Sequence, residues 1–152
     1  MTSLAVRTIL PAALVLIAAL TAPPAAALEA AVSFSSRSDG DIPRVTGETE
    51  FTCSDTVYAI IETEDFAAGT HDIELQWFDP RGERQELTRF KAHSDGGATM
   101  IWAWMRLHGP DNSGLVRTFD PAHGMRDFIG QWTVKTYIDQ HQVDTAHFDM
   151  LC

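Results

Sequence analysis

Past its first 27 residues the chain repeats its apolar positions every second residue. Ile73, Leu75 and Trp77 alternate with Glu74 and Gln76. Trp132, Val134, Thr136 and Ile138 alternate with Gln131, Thr133 and Lys135, and Ala146, Phe148 and Met150 with His147 and Asp149. Successive side chains on a strand point to opposite faces, so a period of two predicts half-buried antiparallel strands. Strands are expected over 49–53, 56–63, 71–78, 83–91, 98–107, 115–119, 129–138 and 143–151, with one more near 31–35. No stretch after residue 27 keeps a helical apolar period for the roughly 10–12 residues a helix needs. At most a single helical turn is expected, at 62–68.

The breaks between these runs carry turn chemistry. Asp79-Pro80-Arg81-Gly82 puts Asp at the first, Pro at the second and Gly at the fourth position of a type I turn, between two alternating runs. The string at 119–124, FDPAHG, reuses the same chemistry with one residue more. The string Ile138-Asp139-Gln140-His141-Gln142-Val143 separates the last two strands without the Gly that makes a tight hairpin easy, so that turn type stays open.

One run is apolar on both faces. In Met100–Met105, Trp102 and Trp104 share one face while Ile101, Ala103 and Met105 share the other. Such a strand is expected in the middle of the molecule, with its tryptophans packed in the core, at least for the one nearer the strand centre. The alternative is that Trp102 and Trp104 form an exposed binding platform for a sugar or a partner chain, because Trp combines a large area with a polar handle.

The first 27 residues have another texture. A short start ending at Arg7, the uncharged run ILPAALVLIAAL and the small-residue string ending at Ala27 match a secretory signal peptide, with cleavage after Ala27. The apolar run is shorter than the roughly 20 residues of a spanning helix, so no membrane span is expected after cleavage. The domain organisation expected is therefore a signal peptide (1–27), an irregular N-terminal arm (28–47) and one β domain (48–152), large enough for a core of its own. The protein is expected to be exported, to the periplasm or the medium.

Charge and cysteines narrow the partners. The formal net charge is −10, and one unit more negative once Arg7 leaves. Such a surface repels phosphate backbones and anionic membrane surfaces alike, so no nucleic acid is expected. In an exported chain two cysteines read as one disulfide, here Cys53 with Cys152.

About seven to eight short strands separated by regular turns predict an all-β fold, a single antiparallel β-sandwich. Residues 69–82 (GTHDIELQWFDPRG), 128–138 (FIGQWTVKTYI) and 148–152 (FDMLC) together resemble bacterial immunoglobulin-like or fibronectin-III-like domains, in which a G-x-W-x-V strand and a final F-x-V strand close the sandwich. The likeness covers residues 48–152 and implies the architecture. It departs from antibody domains, whose cysteines lie on two facing central strands. A fold of this kind implies no activity by itself.

Candidate chemistry is sparse. The histidines His71, His93, His108, His123, His141 and His147 form no H-x-H or H-E-x-x-H. His141 and His147 flank Asp144, but an extended strand holds them about 20 Å apart, too far for one ion. No nucleophile elbow and no phosphate loop occurs. The expectation is an exported, non-catalytic β-sandwich without cofactor or metal that binds another protein or an envelope component. The alternative is a small ligand-binding module for carbohydrate or a metal ion; an enzyme comes third.

Overall fold

The structure, a computed structural model, describes residues 28–107 and 126–151. The expected signal peptide, the strand at 115–119 and Cys152 lie outside the described residues. The protein is mostly β. Its strands are β1 (Ala30–Ser35), β2 (Ser38–Asp39), β3 (Ile42–Pro43), β4 (Glu50–Thr52), β5 (Thr56–Phe66), β6 (Gly69–Phe78), β7 (Arg84–Ser94), β8 (Gly97–Arg106), β9 (Gly130–Ile138) and β10 (His141–Leu151). The only helical element described is a 3-10 turn, Arg126–Phe128.

Two sheets share one core. The first is three-stranded, in the order β1-β5-β8, and wholly antiparallel. The second is five-stranded, in the order β4-β10-β9-β6-β7. From the first sheet Phe34, Val57, Ala59, Ile61, Ile101, Ala103 and Met105 point inward. From the second, Phe51, Ile73, Leu75, Trp77, Trp132, Val134, Phe148 and Met150 meet them. Phe148 is the hub: Phe34 and Phe51 meet its ring edge-on, at centroid distances of 5.0 and 5.4 Å, and Trp132 stacks on it at 6.0 Å. The inward sets of β6, β9 and β10 are those the alternation predicted.

The second sheet is mixed, which corrects the expectation of purely antiparallel pairing. β4 runs parallel to β10, with Leu151 opposite Thr52. The reason is topological: between β1 and β4 the chain leaves the first sheet for the second, and it enters beside β10 in the same direction. The segment expected as an arm supplies β1, where a strand was expected near 31–35, and also the small ribbon β2–β3. The helical turn expected at 62–68 is absent. Instead β5 continues to Phe66, with an irregularity in its pairing between Thr63 and Phe66. Val57, Ala59, Ile61 and Thr63 point inward at every second position; the extra residue shifts the phase and brings Phe66 inward too, 2% exposed.

Two tight hairpins of the five-stranded sheet solve the same problem differently. At Asp79–Gly82 the Gly82 N–H donates to the Asp79 carbonyl at 2.9 Å, and Gly82 takes φ +80°. This is the expected type I turn, closed by a residue in the left-handed region that glycine adopts without a Cβ clash. At β9–β10 both central residues, Asp139 and Gln140, have positive φ (49° and 69°), which makes a type I′ turn without glycine.

Candidate functional site

β8 carries the site. Its inner residues are buried, Ile101 and Ala103 at 5% and Met105 at 6% exposure, and they belong to the shared core. Its outer residues are the two tryptophans. Trp104 is 59% exposed and Trp102 half-buried. The expectation of core packing is therefore corrected for Trp104, while Trp102 is half-buried outside the shared core and the division of faces stands. Both faces are apolar, but only the inner one is covered by the second sheet.

Around the tryptophans the first sheet builds an aromatic surface. Tyr58 lies directly opposite Trp104, and Ile60, fully buried, opposite Trp102. Directly opposite residues of an antiparallel pair are neighbours on one face, so Trp104 and Tyr58 stand side by side on the outer face. The Tyr58 hydroxyl reaches Ser38 Oγ at 3.4 Å, which ties this face to the ribbon β2–β3. The ribbon itself presents Ile42, 54% exposed, and is followed by Val45, 50% exposed.

A groove of ≈ 570 Å³ runs beside the pair, lined by Trp102, Ala103, Trp104, Met105 and Arg106 on one side and Glu86, Thr88 and Phe90 on the other. The β8 residues are consecutive, so they come from both faces of the strand, and only its edge can present them together. The β7 residues are alternate ones, from that strand's inner face. The groove is thus the open side between the two sheets, with the edge of β8 as one wall.

The other polar clusters serve the scaffold. Asp79 is 3% exposed. Its carboxylate accepts the N–H groups of Arg81 and Glu83, each at 2.9 Å, the Gln85 amide at 2.8 Å and the Arg81 guanidinium at 3.0 Å. Burial pushes this carboxyl up, but the donors of Glu83, Arg81 and Gln85 outweigh it and hold the group below its ordinary value. His71 joins two turns: Nδ1 meets Asp139 Oδ2 at 2.7 Å and Nε2 meets the Ala67 carbonyl at 3.0 Å. The Asp139 bond, then that to Ala67, raises its pKa. Asp139 also accepts the Asp72 N–H at 2.9 Å, which helps hold the strained type I′ turn.

His141, Asp144 and His147 are not brought together. His141 Nδ1 bonds the Asp139 carbonyl, His147 Nδ1 meets Thr133 Oγ1, and Asp144 accepts the N–H of Val32 and of Thr145. Among the described residues no group of three or more His, Cys, Asp or Glu stands where it could hold a metal ion. No described cysteine is a free thiol: Cys53, at the end of β4, packs against the core. Its expected partner Cys152 lies outside the described residues. No helix among the described residues is long and apolar enough to cross a membrane.

A second groove, of ≈ 650 Å³, lies on the outer face of the five-stranded sheet. Its charges are already matched, Arg89 with Glu74 at 2.7 Å and Lys91 with Asp72 at 2.6 Å. The site at β8 differs in offering an exposed aromatic side chain, Trp104. The signal that could have placed Trp104 outside was in the sequence: Arg106 continues the Trp102–Trp104 face, and an inward Arg at a strand end is the costlier choice.

No known protein family and no curated protein matches the sequence. Among solved structures, the chain is similar to Pseudomonas fluorescens alkylpurine DNA glycosylase AlkC bound to DNA containing an abasic site analog, with 9% identity and a TM-score of 0.46 over 83% of this chain and 31% of that one. It is also similar to a β-glucosidase from Listeria innocua in complex with glucose, with 10% identity and a TM-score of 0.42 over 81% of this chain and 16% of that one. This chain therefore spans less than a third of either protein, and neither likeness bears on its function.

Proposed function

We propose that the protein is an exported, non-catalytic immunoglobulin-like sandwich that binds another protein or an envelope component through Trp102 and Trp104. The observation that carries this reading is Trp104, a large apolar side chain 59% exposed on a face it shares with Trp102 and Tyr58. Water-exposed tryptophan beside further aromatic surface is the composition of a binding hot spot. The strand order supports the architecture: β1, β5 and β8 stand where an immunoglobulin domain has A, B and E, and β10, β9, β6 and β7 where it has G, F, C and C′. Export is supported by the three-zone pattern of residues 1–27. The disulfide belongs to the same reading, because Thr52, opposite Leu151 in the last described pair of β4 and β10, immediately precedes Cys53.

The test is capture from the native envelope by tagged protein, parent against Trp104→Ala. Loss of one defined component with an unchanged melting temperature supports the reading, and identical capture by both proteins overturns it. A glycan recovered in place of a protein would select the carbohydrate alternative, for which Glu86, Thr88 and Arg106 supply hydrogen-bonding groups beside the rings.

A further inference from the structure

Strand edges expose unpaired backbone groups, and proteins usually blunt them with charges, shortness, prolines or capping contacts. Three of the four edges of the two large sheets follow this rule. β4 has only three residues. β7 carries Arg84, Glu86, Arg89 and Lys91 along its length. On β1 the outward backbone is already engaged, since the Val32 N–H donates to the Asp144 carboxylate at 2.9 Å and the Phe34 carbonyl accepts the Glu48 N–H at 3.0 Å.

β8 is the exception. From Ala98 to Met105 it reads ATMIWAWM, without a charge or a proline. Its pairing with β5 runs unbroken from Arg106 to Thr99. Among the described residues it has no strand on its other side. The hydrogen-bond phase shows which groups have no strand partner among the described residues. On an antiparallel strand the N–H and C=O of one residue point the same way, alternating along the chain. Val32 and Phe34 point away from β5, so Tyr58, Ile60 and Glu62 of β5 point toward β1. Val57, Ala59 and Ile61 then pair with Met105, Ala103 and Ile101. This leaves the backbone groups of Met100, Trp102 and Trp104 aimed at the groove.

We propose that β8 is an acceptor edge, to which a partner polypeptide adds an extended segment as a further strand along Met100–Trp104. The inference rests on the binding reading above and names its partner class. The added strand bonds the open groups of Met100, Trp102 and Trp104. Its alternate side chains enter the groove over Phe90, Ala103 and Met105, while the others lie beside the two tryptophans. The occupant is apolar at every second residue and neutral or basic overall, because the chain's net charge of −10 repels acidic segments and second copies of itself.

The probe is a synthetic peptide of alternating Val and Thr with lysine ends, matched in length to β8. Its control has the same composition with proline at alternate positions. The full exported protein is expected to bind the first saturably and the second not at all. Hydrogen exchange should show the Trp102 and Trp104 amides fast in the free protein and protected when the peptide is bound.

Met100→Pro removes one open amide while keeping both rings and the β5 pairing; it should weaken peptide binding about tenfold or more, as the loss of a hydrogen bond or two implies. Equal binding of the two peptides, or no binding of either, overturns the proposal. So does protection of these amides in the free protein, whether a second copy or the chain's own remaining residues cause it. The platform reading fails separately: it fails if Trp104→Ala leaves envelope capture intact, whereas strand addition fails if Met100→Pro leaves peptide binding intact.

Discussion

The chain has four tryptophans, and they divide into two pairs with opposite fates. Trp77 and Trp132 are 0% exposed, in the core between the sheets. Each indole N–H has an acceptor, Thr88 Oγ1 at 3.3 Å for Trp77 and the Phe128 carbonyl at 2.8 Å for Trp132. Trp102 and Trp104 sit on an equally regular strand but face outward, with Trp104 largely in water. Residue type is the same in both pairs, and each tryptophan sits within an alternating strand. The difference lies in what occupies the opposite face of the strand: Glu74 and Gln76 on β6 and Gln131 and Thr133 on β9 mark it as polar, whereas Ile101, Ala103 and Met105 make it apolar on β8. Where only one face is apolar, burial follows it; where both are, the sheet packed against the strand decides.

The sharpest way to break this comparison is truncation inside against truncation outside. Trp132→Ala deletes a ring stacked on Phe148, and the neighbours cannot close the cavity. It should cost about 3–5 kcal/mol, a large share of the about 5–15 kcal/mol available to a domain. Trp104→Ala should change stability by no more than about 0.5 kcal/mol. Urea denaturation of the two variants decides it, and comparable losses would mean that the Trp104 ring is covered.

Most of the fold was legible in the sequence because most strands have one polar face. β6, β9 and β10 declared their inner sets, and the Asp79 turn declared its type through Pro80 and Gly82. What was hidden is long-range. Nothing local says that β4 will lie parallel beside β10, or that β5 will shift phase to turn Phe66 inward. The type I′ turn at Asp139–Gln140 lacks its usual glycine because contacts to Asp72 and His71, 67 and 68 residues away, hold it. The site was legible as a residue pair and illegible as a surface, since the exposure of Trp104 depends on which face of β8 the second sheet covers.

The next test sharpens the comparison from the side of the buried pair. Gly130 opens the strand that holds Trp132, with φ +129°, and a Cβ there would stand 3.2 Å from the Pro80 ring. The close approach lets the Asp79 hairpin rest on the start of β9. Gly130→Ala adds both a strained backbone and a tight contact, so a loss of about 1–3 kcal/mol is expected. The fluorescence of buried tryptophan should shift toward that of solvated indole at lower urea than in the parent, with no change in peptide binding at β8.

Acid and base should also act at the two ends of the strand that holds Trp77, by a smaller amount and in opposite directions. Asp79 follows Trp77 by two residues, and its folded-state pKa lies below the ordinary value. A depressed carboxyl contributes stability above its unfolded pKa of about 3.9 and loses it as pH falls through the folded value. Acid unfolding should therefore begin near pH 4 and expose Trp77, and Asp79→Asn should flatten that limb while lowering stability at neutral pH.

His71 has the reverse sign and the smallest effect. Its pKa is raised by the bond to Asp139, so its contribution is complete below about pH 6.5 and fades as pH rises through the higher folded value. The partner carboxylate is 49% exposed, so solvent screens much of the pair. Unfolding midpoints followed from about pH 6 to 8 should fall slightly for the parent. They should stay level in His71→Gln, which can keep one of the two bonds but has no proton to lose. An equal slope in both proteins would assign the alkaline loss to another group and leave His71 as a neutral link between the two turns.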